Sequence, residues 1–177
     1  MIDDKDIPEE VKGDFIPEIN PEKLFDEKEY ATIILGDDVK HKKDIENADL
    51  VTALISNKAS REEKDEALIA LKANNASAFL IKAIEKTKNP DHKAILIAAC
   101  WETGLDFSKN LQPFVELVAH SHFNVSFEAF TVIQEMDGQL NEQDIKTGLE
   151  KLKGTQSENQ IYIDDTIEFL QQQLKQL

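Results

Sequence analysis

From Ile45 onward, apolar residues recur at spacings of three and four, with no sustained alternation. That period puts them on one side of a helix, so the pattern predicts helices almost throughout. Leu50, Val51, Leu54 and Ile55 make one stripe, and Ala67, Leu68, Ala70 and Leu71 the next. Phe79, Leu80, Ala83 and Ile84 make a third. Ala94, Ile97, Ala98 and Trp101 make a fourth, on a helix that Ile95 and Leu96 render apolar nearly all round. Phe114, Val115, Leu117 and Val118 follow, then Phe127, Phe130, Val132 and Ile133. Ile145, Leu149 and Leu152 come next, and Ile163, Ile167, Leu170 and Leu174 close the series.

The polar punctuation fits these stripes. Ser60 with Glu63, and Ser157 with Gln160, have the spacing of capping boxes. Asn89-Pro90-Asp91 offers an N-cap, a proline for the first turn and an acid at the positive helix end, and Asn141 with Asp144 reads similarly. Gly104, Gly138 and Gly154 each follow a stripe, where a left-handed residue ends a helix well, and Asn74-Asn75 can serve the same purpose. Short joints between such segments predict antiparallel neighbours.

The helix pairs repeat. Residues 77–104 read as a helix, an Asn-containing turn and a second helix closed by glycine. Residues 111–138 repeat this layout around Ser121-His122-Phe123-Asn124, with closing glycines 34 residues apart. Residues 143–174 form a third unit with a longer turn around Gly154, and 48–73 a shorter first one. A helix-pair period in this range is the mark of a stacked repeat, in which no pair buries its apolar face without its neighbour.

Lys88-Asn89-Pro90-Asp91-His92-Lys93, running into the alanine-rich Ala94 to Ala99, resembles the turn and second helix of a HEAT repeat. The likeness covers about 46–175 as a pattern and 88–104 as a motif. Ile95 or Leu96 stands where that family usually has an arginine, and the turns at 121–124 and 154–159 lack its proline. The resemblance implies an all-α, right-handed α-solenoid of about four antiparallel helix pairs. It also implies second helices lining a concave face that holds another macromolecule, and no catalysis. A plain four- or five-helix bundle is the competing architecture.

Charge divides the chain. Residues 1–47 carry fifteen acids and seven bases, and three of the five prolines fall in the first 21 positions. Residues 1–19 read as an acidic arm, flexible or loosely docked, and 20–45 as an N-terminal helix and linker before the repeat domain at 46–177. Asn20 and Pro21 would open that helix, although Tyr30 to Leu35 also suits a short strand. The arm could fold over the groove as a self-inhibitor or dock on a sister subunit.

The net charge of −15, with Arg61 the only arginine, disfavours nucleic acid and anionic membranes as partners. It favours a basic protein partner whose binding weakens with salt. With Cys100 the only cysteine, no intramolecular disulfide can form. Without a signal-like leader or an apolar run near the ~20 residues of a membrane span, a cytoplasmic address is expected.

Candidate chemistry is sparse. His120 and His122 are too close in sequence to share a helix face. Cys100 lies within the most apolar helix, where burial makes a thiol inert. The acids at 62–66 and the Asp164, Asp165, Glu168 group lie in early helical turns, where the macrodipole welcomes them. No phosphate loop, nucleophile elbow or EF-hand spacing occurs. No catalytic residue, metal or cofactor is expected. The expectation is a non-enzymatic scaffold that binds protein through its concave face, using Glu128, Thr131 and Glu135 on one second helix and Asp165, Glu168 and Gln172 on the next. Phe123 and Phe127, at a turn and a helix edge, are candidate anchors. The alternative is a small-ligand binder, of lyase or chaperone type, using a groove in the same stack.

Overall fold

The computed structural model describes residues 42–120 and 122–177, which form eight α-helices and no strand. These are α1 Lys42–Ile55, α2 Arg61–Ala73, α3 Ser77–Lys86, α4 Pro90–Glu102, α5 Leu111–His120, α6 Phe123–Gln134, α7 Glu142–Leu152 and α8 Gln160–Gln176, with a 3-10 turn at Ser108–Asn110. The expected acidic arm, the helix opened by Pro21, His41 and Ser121 lie outside the described residues. No described helix is long and apolar enough to cross a membrane.

Most helix ends follow their local sequence. At α2 the Glu63 N–H donates to Ser60 Oγ (3.2 Å) and the Ser60 N–H to Glu63 Oε2 (2.7 Å), completing the box. Asn89 Oδ1 accepts from the N–H groups of Asp91 and His92, and Asn141 Oδ1 from those of Gln143 and Asp144. The pair Ser157–Gln160 departs from expectation. Helix α8 begins at Gln160, and Ser157 Oγ instead accepts from the Asn159 N–H within the preceding turn. Asn75, Gly104 and Gly154 adopt left-handed φ values of 50°, 59° and 82°. Gly138 does not. It is needed for a close approach, since a Cβ there would come within 2.3 Å of Ser108 Oγ and 2.8 Å of the Asp106 carboxylate.

Helices in substantial contact always belong to the same pair or to successive pairs along the chain. Within pairs, α1 meets α2, α3 meets α4, α5 meets α6 and α7 meets α8. Between pairs, α1 touches α3 and α4, the second helices α4, α6 and α8 adjoin in that order, and α5 lies against α7. Apolar stripes fill the joints: Leu71, Leu80, Leu96, Ile97, Ile133, Ile145 and Leu152 are fully buried. Phe107 and Phe114 meet edge to face at 5.7 Å, a favoured aromatic geometry. Polar ties cross the same joints. Asn74 Nδ2 donates to Asn47 Oδ1 (2.9 Å), and the buried Ser126 hydroxyl to the Val118 carbonyl (3.0 Å).

Candidate functional site

The second helices carry the most unusual surface. Helix α4 is apolar on every side, so covering all of it needs neighbours all round. It buries Ala94, Leu96, Ile97, Ala99 and Cys100 and leaves Ile95 and Trp101 exposed. The Trp101 indole N–H donates to Glu128 Oε2 of α6 at 2.9 Å, which fixes an exposed ring between two helices.

Beside it lies Glu102, the last residue of α4. Partial burial pushes its carboxyl above the usual range, and the charges of Glu128 on α6 and Asp65 on α2 push it further. Neither α4 nor α6 has a base in its last turn, and Glu135 caps the C-terminal end of α6. The helix macrodipole disfavours acids there and favours cations. Acids from three helices thus converge on Glu102, with Arg61 pairing Asp65 at 3.9 Å and the Lys72 ammonium beside Gly104 at the end of α4.

The aromatic surface continues onto α8. Phe123, Phe127 and Phe130 surround Tyr162 with centroid separations of 5.6, 5.6 and 5.7 Å. Phe123 is 55% exposed, Phe127 42%, Ile161 of α8 64% and Trp101 38%. Exposed aromatic side chains grouped as Phe123 and Phe127 are around Tyr162 are an ordinary mark of a contact site.

The expected binding residues are in different states. Glu128 is half-buried and holds Trp101. The Thr131 hydroxyl is turned back onto the Phe127 carbonyl. Glu135 is exposed at the cap. On α8, Asp165, Glu168 and Gln172 are exposed along one face, and Gln172 Nε2 donates to Glu168 Oε1 (3.1 Å). The link between the α6 and α8 sets is the Tyr162 cluster. Trp101, Glu102, Asp65 and Tyr162 were not foreseen. The signal available in sequence was the helix apolar all round, which leaves something uncovered unless neighbours surround it.

The remaining candidates stay quiet. Cys100 is fully buried, its Sγ lies 3.5 Å from the Leu96 carbonyl, and burial pushes its thiol pKa well up. Burial lowers the His92 pKa, against the pull of Asp91. Among the described residues, no three His, Cys, Asp or Glu side chains are grouped to hold a metal ion.

A cleft opens on the other side of the stack, where α3 and α5 barely meet. Its volume is about 850 Å³, and Glu102 is not among its walls. Compared with protein-family models, curated proteins and solved structures, the chain matches none.

Proposed function

We propose that this protein is a non-enzymatic, HEAT-like helical-repeat scaffold that holds a basic protein segment against its second helices. The reading takes the four helix pairs as a right-handed α-solenoid, in which α4, α6 and α8 line the concave side. Contacts confined to successive pairs support that reading. The observation that carries the function is the effect of Glu128 and Asp65 on Glu102, next to the exposed Trp101 that Glu128 holds. A carboxyl raised by burial and by neighbouring acids, as Glu102 is, is relieved by an incoming cation. Lys or Arg side chains placed there would also meet the negative ends of α4 and α6. Apolar residues of the same segment would rest on Phe123, Phe127 and Ile161. Nucleic acid and anionic lipid would be repelled by the same charge.

Trp101 is the only tryptophan, so its emission reports on this surface directly. A synthetic Lys/Leu amphipathic peptide should shift that emission saturably, and less so as salt rises. The double variant Glu102→Gln, Glu128→Gln should bind it at least ~10-fold more weakly, the expected loss from removing two charge contacts. A Glu/Leu peptide of equal length should leave the emission unchanged. An equal response to both peptides would remove the charge argument, and no response to either would remove the site.

A further inference from the structure

The cleft between α3 and α5 is built differently from the acidic face, shares none of its residues, and carries an independent inference. We propose that it binds a small, neutral, elongated apolar molecule bearing one N–H or O–H donor, of the aliphatic amide or alcohol class. Its volume of about 850 Å³ lies in the range that encloses small organic ligands. Ile81 and Ile84 of α3 face Phe114 and Leu117 of α5 across it, and Ile84 and Phe114 are themselves buried. Such walls suit an apolar body.

The donor requirement comes from Gln112, which also lines the cleft. Its Nε2 donates to the Asp144 carbonyl on α7 at 2.7 Å. A carbonyl only accepts, so this bond fixes which end of the amide is nitrogen. Gln112 Oε1 is left buried with no partner. Buried acceptors in native proteins are almost always paired. The Gln112 side chain as a whole is only half-buried. A turn about its last bond would let Oε1 accept from a donor held in the cleft.

The neutrality comes from the rim. Lys151 is bonded to Glu116, while Glu85 and Lys93 add one charge of each sign. The four charges cancel, so neither an anion nor a cation gains from entering.

The test is a methyl- and amide-detected NMR titration of the full chain with octanamide. Octanamide should move the methyl signals of Ile81, Ile84 and Leu117 and the Gln112 side-chain amide on one saturable curve. A dissociation constant of about 1 mM is expected for a ligand of this size. N,N-dimethyloctanamide, which lacks the N–H, should bind ~10-fold more weakly, as should octanoate and octylammonium. Gln112→Leu should bring octanamide down to the level of its dimethyl analogue, and Ile81→Trp should fill the cleft and abolish binding. Should Ile81→Trp fail to fold, intermolecular NOEs from the octyl chain to the Ile81 methyls locate the ligand in the unaltered chain. Equal affinity for the two amides overturns the donor argument. Shifts confined to the Trp101 face, or no saturable shift up to the solubility limit, overturn the site and leave water as the partner of Gln112.

Discussion

The second and third helix pairs meet along one side and part along the other. Helices α4 and α6 make broad contact, whereas α3 and α5, which belong to the same two pairs, barely touch. Side-chain size accounts for the difference. Helix α4 buries Ala94 and Ala99 and helix α6 buries Ala129, and small residues let helix axes approach. Helices α3 and α5 present Ile81, Ile84, Phe114 and Leu117 to each other. One joint further on, the first helices close again. Helix α7 carries Gly148, where a Cβ would stand 3.3 Å from Val115 Cγ2 of α5 and 3.4 Å from Leu170 of α8. The gap is therefore local to one joint. A closed joint leaves a surface whose chemistry must come from exposed side chains, as at Trp101 and Glu102. An open joint leaves a volume with walls.

Enlarging a side chain on each side of this contrast should give unequal results. Gly148→Val adds bulk to a closed joint and should cost about 1–3 kcal/mol, of which better helix propensity returns only a few tenths. Ile81→Phe adds bulk toward the open cleft and should stay within about 0.5 kcal/mol of the parent. Urea unfolding midpoints at constant m-value measure both. Equal losses would mean that the cleft is closed in solution.

Gln112 spans the contrast within one side chain. Its nitrogen ties α5 to α7 on the closed side, and its oxygen is buried without a partner in a residue that lines the open cleft. Gln112→Leu loses a hydrogen bond but also removes a buried acceptor without a partner. These terms oppose each other, so stability should change by less than about 1 kcal/mol. A loss above about 2 kcal/mol, read from the same unfolding curves, would show that Oε1 is satisfied after all.

What could be read from sequence divides along similar lines. The caps at Ser60, Asn89 and Asn141 need only residues within one turn, and they form as read. Ser157 failed because the helix it was to cap begins at Gln160, and a local turn claimed its hydroxyl first. Gly138 looked like a left-handed terminator, but its reason is the Asp106–Ser108 turn pressed against it, a contact between distant residues. Trp101 was read as core because periodicity on an apolar helix cannot say which side a neighbour covers. The exposure of Phe123 is legible because it sits at a helix start, outside any stripe, whereas Phe127 is exposed although it belongs to one. The cleft was invisible, since it depends on the separation of α3 and α5, which no single segment encodes.

The smallest expected effect concerns the closed side and has a definite sign in pH. Glu102 has a folded pKa above the ordinary glutamate value of 4.5. A raised acid disfavours the fold once ionised. Its penalty is absent below pH 4.5 and grows as pH rises through the raised value. Glu102→Gln should therefore be more stable than the parent above that window, and the two unfolding curves should converge below it. Water screens a carboxylate this exposed, so the gain should be a few tenths of a kcal/mol, up to about 1. A basic peptide bound at Trp101 would lower the Glu102 pKa, so binding in that window should release protons and strengthen as pH rises. Calorimetry in two buffers of different ionisation enthalpy measures that release. Proton release that persists in Glu102→Gln would mean that another acid carries the coupling, and the peptide would then lie elsewhere on the stack.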